Sequence, residues 1–434
     1  MSIVEIIEKK KNNKSLSETE IKYFVDNFTN GIIADYQASS LLMAIWINGM
    51  NSEEIYWLTK AMLNSGEILE PKATNKLHIS VDKHSSGGVG DKVSLILSPI
   101  LVALGYDVAK LSGRGLSFTG GTIDKLESIG VDCEYDSNNY QNQLNKSHMF
   151  LMIQGSQIVP ADKKMYALRD VTGTVDSLPL IAASIMSKKL AIKTDYIFLD
   201  IKVGSGAFCK TLEQAQQLAK IMLDISKKFN RKTIIHLTNM SSPLGKCIGN
   251  AIEIKEAIDF LNGNYDSIEL KKLIFEFASD ILIDTSVCGT KQDAYSKINE
   301  VIENKSALNA FLNYVKNQNG YIDRIQNNTY WQPKNEYIIV AEQSGFINYK
   351  SASEVGLVSA LMGGGRFKKE DQIDFDAGIY LNKESNDYVN KGEIIATLYS
   401  NSPIKQDVIQ KFKKNIEFKS EKNHNTKIIM DIIK

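Results

Sequence analysis

Residues 112–127 read Ser112-Gly113-Arg114-Gly115-Leu116-Ser117-Phe118-Thr119-Gly120-Gly121-Thr122-Ile123-Asp124-Lys125-Leu126-Glu127. Gly120 and Gly121 precede a segment that predicts a helix starting near Thr122. A helix N-terminus beside a hydroxyl is a ready anion site, because its first N–H groups have no partner within the helix. A similar stretch lies upstream, Lys83-His84-Ser85-Ser86-Gly87-Gly88-Val89-Gly90-Asp91. It follows residues 76–83, where Leu77, Ile79 and Val81 alternate as in a strand. Its glycines let backbone amides approach an anion, and its Lys and Ser side chains add donors. No Gly-Lys-Ser/Thr follows, and the G-x-G-x-x-G spacing fails at Val93, so this is neither a Walker loop nor a dinucleotide fingerprint. Two such turns suggest a phosphate held from two sides. Two unrelated tight turns are the bland alternative.

Outward from these turns, residues 93–104 are apolar and predict a buried helix. Residues 195–203 and 232–237 predict strands, with a helix over 212–229 between them. Continued to about residue 330, this alternation predicts an α/β layer with a largely parallel sheet. Residues 1–65 read as short helices: Ser17 with Glu20 is an N-cap signal, and Leu41, Leu42, Ile45 and Trp46 recur at helical spacing. Residues 317–334 are polar and connect to a C-terminal unit. Short strands are expected there at 338–341, 345–350, 378–381 and 393–399, with turns at Gly363-Gly364-Gly365 and Asn390-Lys391-Gly392-Glu393.

Composition bounds the function. Of 434 residues, 43% are hydrophobic and 24% charged, with 51 basic and 51 acidic side chains. That is ordinary for a soluble globular chain and advertises neither a nucleic-acid partner nor a membrane surface. Residues 1–13 carry Lys9, Lys10 and Lys11 without a following apolar core, so no secretory signal is read there. The longest apolar stretch, 94–111, is interrupted by Gly105, Asp107 and Lys110 and cannot span a bilayer. Cys133, Cys209, Cys247 and Cys288 form no C-x-x-C pair, and the five histidines are scattered. Reduced thiols in a cytoplasmic protein are the expectation, with no zinc site or disulfide framework.

A third segment carries Arg169-Asp170, then Asp176-Ser177-Leu178-Pro179, then Ser184 and Lys188. Pro179 suits the first turn of a helix, and Ser184 and Lys188, four apart, share one face of it. With Arg169 they could read a planar group with several acceptors, such as a pyrimidine. A solvated basic face is the competing reading.

Taken together, the three segments resemble the pyrimidine-nucleoside and thymidine phosphorylases. Residues 112–127 match that family's pattern S-G-R-G-L-x-x-T-G-G-T-x-D-K-L-E at every fixed position. Lys83-His84-Ser85, Asp162, Arg169-Asp170, Val175-Asp176-Ser177, Gly204-Ser205-Gly206-Ala207-Phe208, Asp35-Tyr36-Gln37 and Gly364-Gly365-Arg366 match as well. Ser117-Phe118 replaces a common Gly-His, and Gly173 replaces a frequent alanine. The resemblance implies an all-α plus α/β, two-lobed molecule. Its small helical domain would take residues 1–65 and 161–191, and serve dimerisation and the base side. The larger α/β phosphate-binding domain would take 76–155 and 195–330, with a sandwich-like α+β part at 335–434. It implies a homodimer and a cleft between lobes.

By the same resemblance Lys83, Ser85, Ser94, Ser112 and Thr122 bind phosphate. Arg169, Ser184 and Lys188 bind the base, and Leu116 and Ile181 wall it. His84, Arg169 and Lys188 carry the chemistry, with His84 as general acid or as orienter. No organic cofactor is implied, phosphate being the co-substrate. A monovalent cation such as potassium is implied at Gly90, Lys92, Leu244, Cys247 and Glu256. The reaction implied is phosphorolysis of thymidine, deoxyuridine and uridine to free base and (2-deoxy-)ribose 1-phosphate. Lys110, two residues before Ser112, could hydrogen-bond a ribose hydroxyl. It inclines the reading to broad pyrimidine specificity over a strict thymidine enzyme. An enzyme like anthranilate phosphoribosyltransferase, a dead nucleoside-binding scaffold, and a carrier-like role for the turn at Val389–Glu393 are the rival readings. The last lacks a Met-Lys-Met at the tip.

Overall fold

A computed structural model describes residues 1–115, 120–134, 139–368, 371–423 and 427–434. Four helices open the chain: α1 (Ile3–Lys11), α2 (Glu18–Thr29), α3 (Asp35–Asn48) and α4 (Ser52–Leu63). Ser2, Ser17 and Asn51 cap α1, α2 and α4 in reciprocal capping boxes with Glu5, Glu20 and Glu54. Then come β1 (Ser80–Ser85), α5 (Val93–Ala103), β2 (Asp107–Ser112), α6 (Thr122–Glu127), α7 (Tyr140–Ser147) and β3 (Met149–Ile153). The helices α8 (Pro160–Thr172) and α9 (Leu178–Leu190) each begin with a proline in the first turn and pack back onto α2 and α4. They complete the helical lobe.

The chain returns to the sheet with β4 (Tyr196–Val203), α10 (Leu212–Lys228) and β5 (Lys232–Asn239). The large sheet has the order β13-β5-β4-β1-β2-β3; its members from β1 to β5 run parallel. Its two faces serve different cores, as the two-residue period of a strand requires. On β4, Ile197, Leu199 and Ile201 pack with the helical lobe and α10, whereas Phe198 belongs to the opposite core with α5. The polar Asp200 and Lys202 share the Phe198 face and are fully buried.

Two expectations are corrected. The strand placed at 76–83 is shifted to Ser80–Ser85. His78 takes a left-handed φ of 52°, which breaks the extended run, and pairing with β4 carries the strand on to Ser85 opposite Asp200. Lys83, His84 and Ser85 therefore sit on the strand's C-terminal end, not in the loop. Nor does alternation continue to residue 330. After the short β6 (Cys247–Gly249) come five helices: α11 (Ala251–Leu261), α12 (Ile268–Asp284), α13 (Lys291–Glu303), α14 (Ser306–Asn317) and α15 (Ile322–Gln326). Their apolar faces form a helical layer on one side of the sheet.

The remaining strands are β7 (Asn335–Val340), β8 (Gly345–Tyr349), β9 (Gly378–Leu381), β10 (Tyr388–Val389), β11 (Ile394–Ser400), β12 (Ile416–Lys419) and β13 (Ile429–Ile433), with α16 (Ala352–Ser359) and α17 (Gln406–Lys414). They form small antiparallel sheets ordered β6-β9-β11-β7 and β10-β8-β12. The last strand leaves this unit: β13 pairs antiparallel with β5 and closes an edge of the large sheet.

Candidate active site

The C-terminal ends of β1 and β2, with Phe208 and Cys209 from the connection after β4, open into a cleft of about 480 Å³ facing the helical lobe. Crevices of open parallel sheets lie at these strand ends, where loops are free to carry polar groups. The sheet side is lined by His84, Ser85, Gly87, Gly88, Asp91, Ser94, Lys110, Ser112 and Thr122. Tyr166, Arg169 and Asp170 of α8 and Ile181, Ser184 and Lys188 of α9 face them. The structure thus brings together residues from 84 to 188 that the sequence holds apart. Leu116 lies outside the described residues.

Ser112 ends β2 with its hydroxyl buried and without a hydrogen-bond partner. Such a group is costly unless a ligand satisfies it. Ser94 stands in the first turn of α5, and Thr122 opens α6. The Ser85 hydroxyl donates to the Asp91 carboxylate within the glycine loop. Burial opposes the charge of Asp91, but Lys202 and Lys83 outweigh it and hold this carboxyl far below its ordinary range. The second turn is built around Asp124, which accepts from Gly115 N–H at 2.6 Å and from Arg366 Nη1 at 2.6 Å. Gly121 has to be glycine: a Cβ there would lie 2.1 Å from Gly115 N. Arg366 was visible in the sequence only as a motif residue. Its tie to Asp124 spans 242 positions and had no local signal.

The cations differ in their partners. Lys83 corrects its expectation: it does not line the cleft. Its Nζ is buried 3.0 Å from Asp200 Oδ2, which Lys202 also approaches at 2.8 Å. Lys110 does line the cleft, and its Nζ donates to the Lys83 carbonyl at 2.6 Å. Burial, then the nearby Lys189, pushes the Lys110 pKa down to about 7. His84 is half-buried, and its Nδ1 is shut away from solvent without a partner. Burial first, then Lys189 and Lys110, lower its pKa well below the ordinary imidazole value, so it is neutral at pH 7.

On the helical side, Lys188 Nζ donates to Asp162 and, at 2.9 Å, to Ser184 Oγ. Arg169 clamps its own connection. Its Nε, Nη1 and Nη2 donate to the carbonyls of Thr174, Leu180 and Val175 at 3.1, 3.1 and 2.6 Å. Three of the five guanidinium N–H groups are thus used within the protein and two remain. Asp91, Tyr166 and Asp170 also line the site; Asp91 and Asp170 stand in the quoted segments, but the sequence alone assigns no role to any of the three.

The residues expected to hold a monovalent cation do not fit one. Lys92 Nζ itself lies against Leu244 O at 2.8 Å, Cys247 O at 2.9 Å and Glu256 Oε2 at 2.7 Å. The Gly90 carbonyl accepts from Lys92 N–H at 3.0 Å. Among the described residues, no group of three or more His, Cys, Asp or Glu is placed to hold a metal ion, and no helix is long and apolar enough to cross a membrane.

Comparison with known proteins agrees with this arrangement. Residues 77–308 match the glycosyl transferase family a/b domain, residues 4–66 its helical bundle domain, and residues 346–419 the pyrimidine nucleoside phosphorylase C-terminal domain. A thymidine phosphorylase of Mycoplasmoides pirum is 54% identical over 418 residues, covering 96% of this chain and 100% of that protein. A pyrimidine-nucleoside phosphorylase of Staphylococcus haemolyticus is 46% identical over 424 residues, covering 97% of each. This chain belongs to the pyrimidine-nucleoside and thymidine phosphorylase family. Within that family fold, an anthranilate phosphoribosyltransferase from Thermus thermophilus shares the architecture at 16% identity and a TM-score of 0.57, over 73% of this chain and 99% of its own. That likeness concerns the fold alone.

Proposed function

We propose that this chain phosphorolyses pyrimidine nucleosides, with thymidine, deoxyuridine and uridine as substrates, giving free base and (2-deoxy-)α-D-ribose 1-phosphate. The observation that carries the reading is one cleft with Ser94, Ser112, Thr122 and Lys110 on one wall and Arg169, Ser184 and Lys188 on the other. Phosphate attacks the anomeric carbon directly, so no side-chain nucleophile is needed. The carbon–nitrogen bond breaks and its electron pair leaves with the base. Donors on the sheet wall hold the phosphate for attack. Lys188 and the free N–H groups of Arg169 meet charge developing on the pyrimidine, and interactions that strengthen with that charge lower the barrier. A neutral His84 serves the base as a hydrogen-bond partner and orienter, rather than as an imidazolium acid.

Lys110 supports acceptance of ribonucleosides, because its ammonium lines the cleft beside Ser112. The fold also presents Ile32, Tyr36, Met43 and Ile47 as exposed apolar side chains at and around α3. They support a homodimer formed through the helical lobe, which light scattering of the purified protein tests. Four free buried cysteines accord with a cytoplasmic setting.

A phosphate-dependent release assay with thymidine, deoxyuridine, uridine and cytidine tests reaction and specificity together. Base release that requires orthophosphate is expected; none from any substrate overturns the reading. Lys110→Met is expected to lower kcat/KM for uridine more than for thymidine. An unchanged ratio removes Lys110 from sugar selection.

A further inference from the structure

Lys92 links the glycine loop to α5, one residue after Asp91 and two before Ser94. Its side chain is fully buried. The ammonium has three N–H donors, and the structure supplies three acceptors: Leu244 O, Cys247 O and Glu256 Oε2. Glu256 is itself fixed, accepting from Lys246 N–H on Oε1 at 2.8 Å and from Cys247 N–H on Oε2 at 2.9 Å. The surroundings are closed. A Cβ on Gly245 would lie 2.8 Å from Lys92 Nζ, and one on Gly90 would lie 2.5 Å from Leu244 O.

Two backbone carbonyls and a carboxylate oxygen converging on one interior point make an oxygen cage for a single positive charge. Without such a charge the three acceptors would crowd one another in a low-dielectric interior with no counter-charge at their centre. Burial opposes the charge of Lys92, but Glu256 and Glu253 outweigh it and keep the ammonium protonated. The cage joins distant pieces of chain: Leu244 N–H donates to Val89 O at 3.0 Å, and Cys247 starts the strand that pairs with β9.

We infer that Lys92 is a tethered univalent cation, a positioning residue whose ammonium occupies the place of a free metal ion and holds the 244–247 connection and α11 against the phosphate-side loop. The folded protein therefore takes up no potassium at this point and needs none. The effect on phosphate rests on the cleft reading above, since Asp91 and Ser94 flank Lys92 and line that cleft. The charge substitution itself does not.

The test compares the full-length protein with Lys92→Thr and Lys92→Met in buffers where potassium replaces tetramethylammonium at constant ionic strength. Thermal midpoint and phosphate KM are the readouts. The wild type is expected to show no potassium-specific change in either. Lys92→Thr is expected to have a lower midpoint and a phosphate KM raised roughly tenfold, with kcat less affected. Potassium or ammonium should move both back, because a ligand that binds only the folded state stabilises it. Lys92→Met, which fills the cage with an apolar chain, should not respond. A potassium-specific rise in the wild-type midpoint overturns the inference, and needs no variant to fold. So does a Lys92→Thr protein indifferent to potassium in its midpoint, or a Lys92→Met protein with wild-type midpoint and phosphate KM. The midpoint involves no nucleoside, so it stands or falls separately from the phosphorolysis reading.

Discussion

Lys189 Nζ lies 2.8 Å from Asp82 Oδ2, both side chains shut away from solvent, and this pair ties α9 of the helical lobe to β1 of the sheet. Its position is functional as well as structural. Lys188, the preceding residue, faces the cleft from α9, while His84, two residues beyond Asp82, faces it from β1.

Removing one partner of a buried ion pair leaves the other charge uncompensated, which costs about 3–5 kcal/mol. Lys189→Met is therefore expected to lower stability by about that amount in urea unfolding. It should also reduce phosphorolysis, because α9, which carries Lys188, loses its tie to β1. A variant with unchanged stability shows that the pair is not a tie between the lobes.

Ser112 offers a prediction in which stability and activity part company. Its hydroxyl is buried and unpartnered, so Ser112→Ala removes an unsatisfied group and should leave the unfolding midpoint unchanged or slightly raised. Phosphate KM should rise roughly tenfold, the loss of one hydrogen bond to an anion. Steady-state kinetics beside urea unfolding reads both. A fall in stability with unaltered KM would assign the hydroxyl to the scaffold.

The pH dependence of stability should carry the mark of Lys110. Its pKa stands at about 7 in the folded protein against the ordinary lysine value of 10.5. Between those values the unfolded chain binds the extra proton, so stability rises with pH at ~1.4 kcal/mol per unit from this group. Below pH 7 both states are protonated and the contribution is flat. Lys110→Met should be more stable than the wild type near pH 6 and should lose this slope between pH 7 and 10. Phosphate beside the ammonium favours its charged form, so phosphate binding at pH 8 should take up protons, which calorimetry in buffers of different ionisation heat measures.

Gly121→Ala should disable the second turn. The added Cβ meets Gly115 N at 2.1 Å and the Arg114 carbonyl carbon at 2.4 Å, so backbone has to move. A displacement of about an ångström at a binding turn reduces kcat/KM by roughly a hundredfold. Wild-type kinetics in this variant would show that the close approach of Gly121 to residues 114–115 is dispensable.

Much of the molecule is written locally. Ser17 with Glu20 announced a capped helix, Pro179 opened α9, and the spacing of Ser184 and Lys188 placed both on the cleft face of one helix. Such signals work because caps, ring-fixed backbone angles and helical periodicity act over three or four residues. Sequence pattern also sufficed for the two glycine turns and for the family. Tertiary structure alone decided how the charges are used. Lys83 and Lys110 look alike in the chain. Yet Lys83 is paired with Asp200, 117 positions away, while Lys110 meets only a carbonyl and, with its pKa pushed down to about 7, lines the cleft. Lys92 reads in the sequence only as one residue of an implied cation site; in the fold the carbonyls of Leu244 and Cys247, more than 150 positions later, close around its own ammonium. Charge interactions depend on distance and burial in the folded molecule, and neither is encoded in the residues next door.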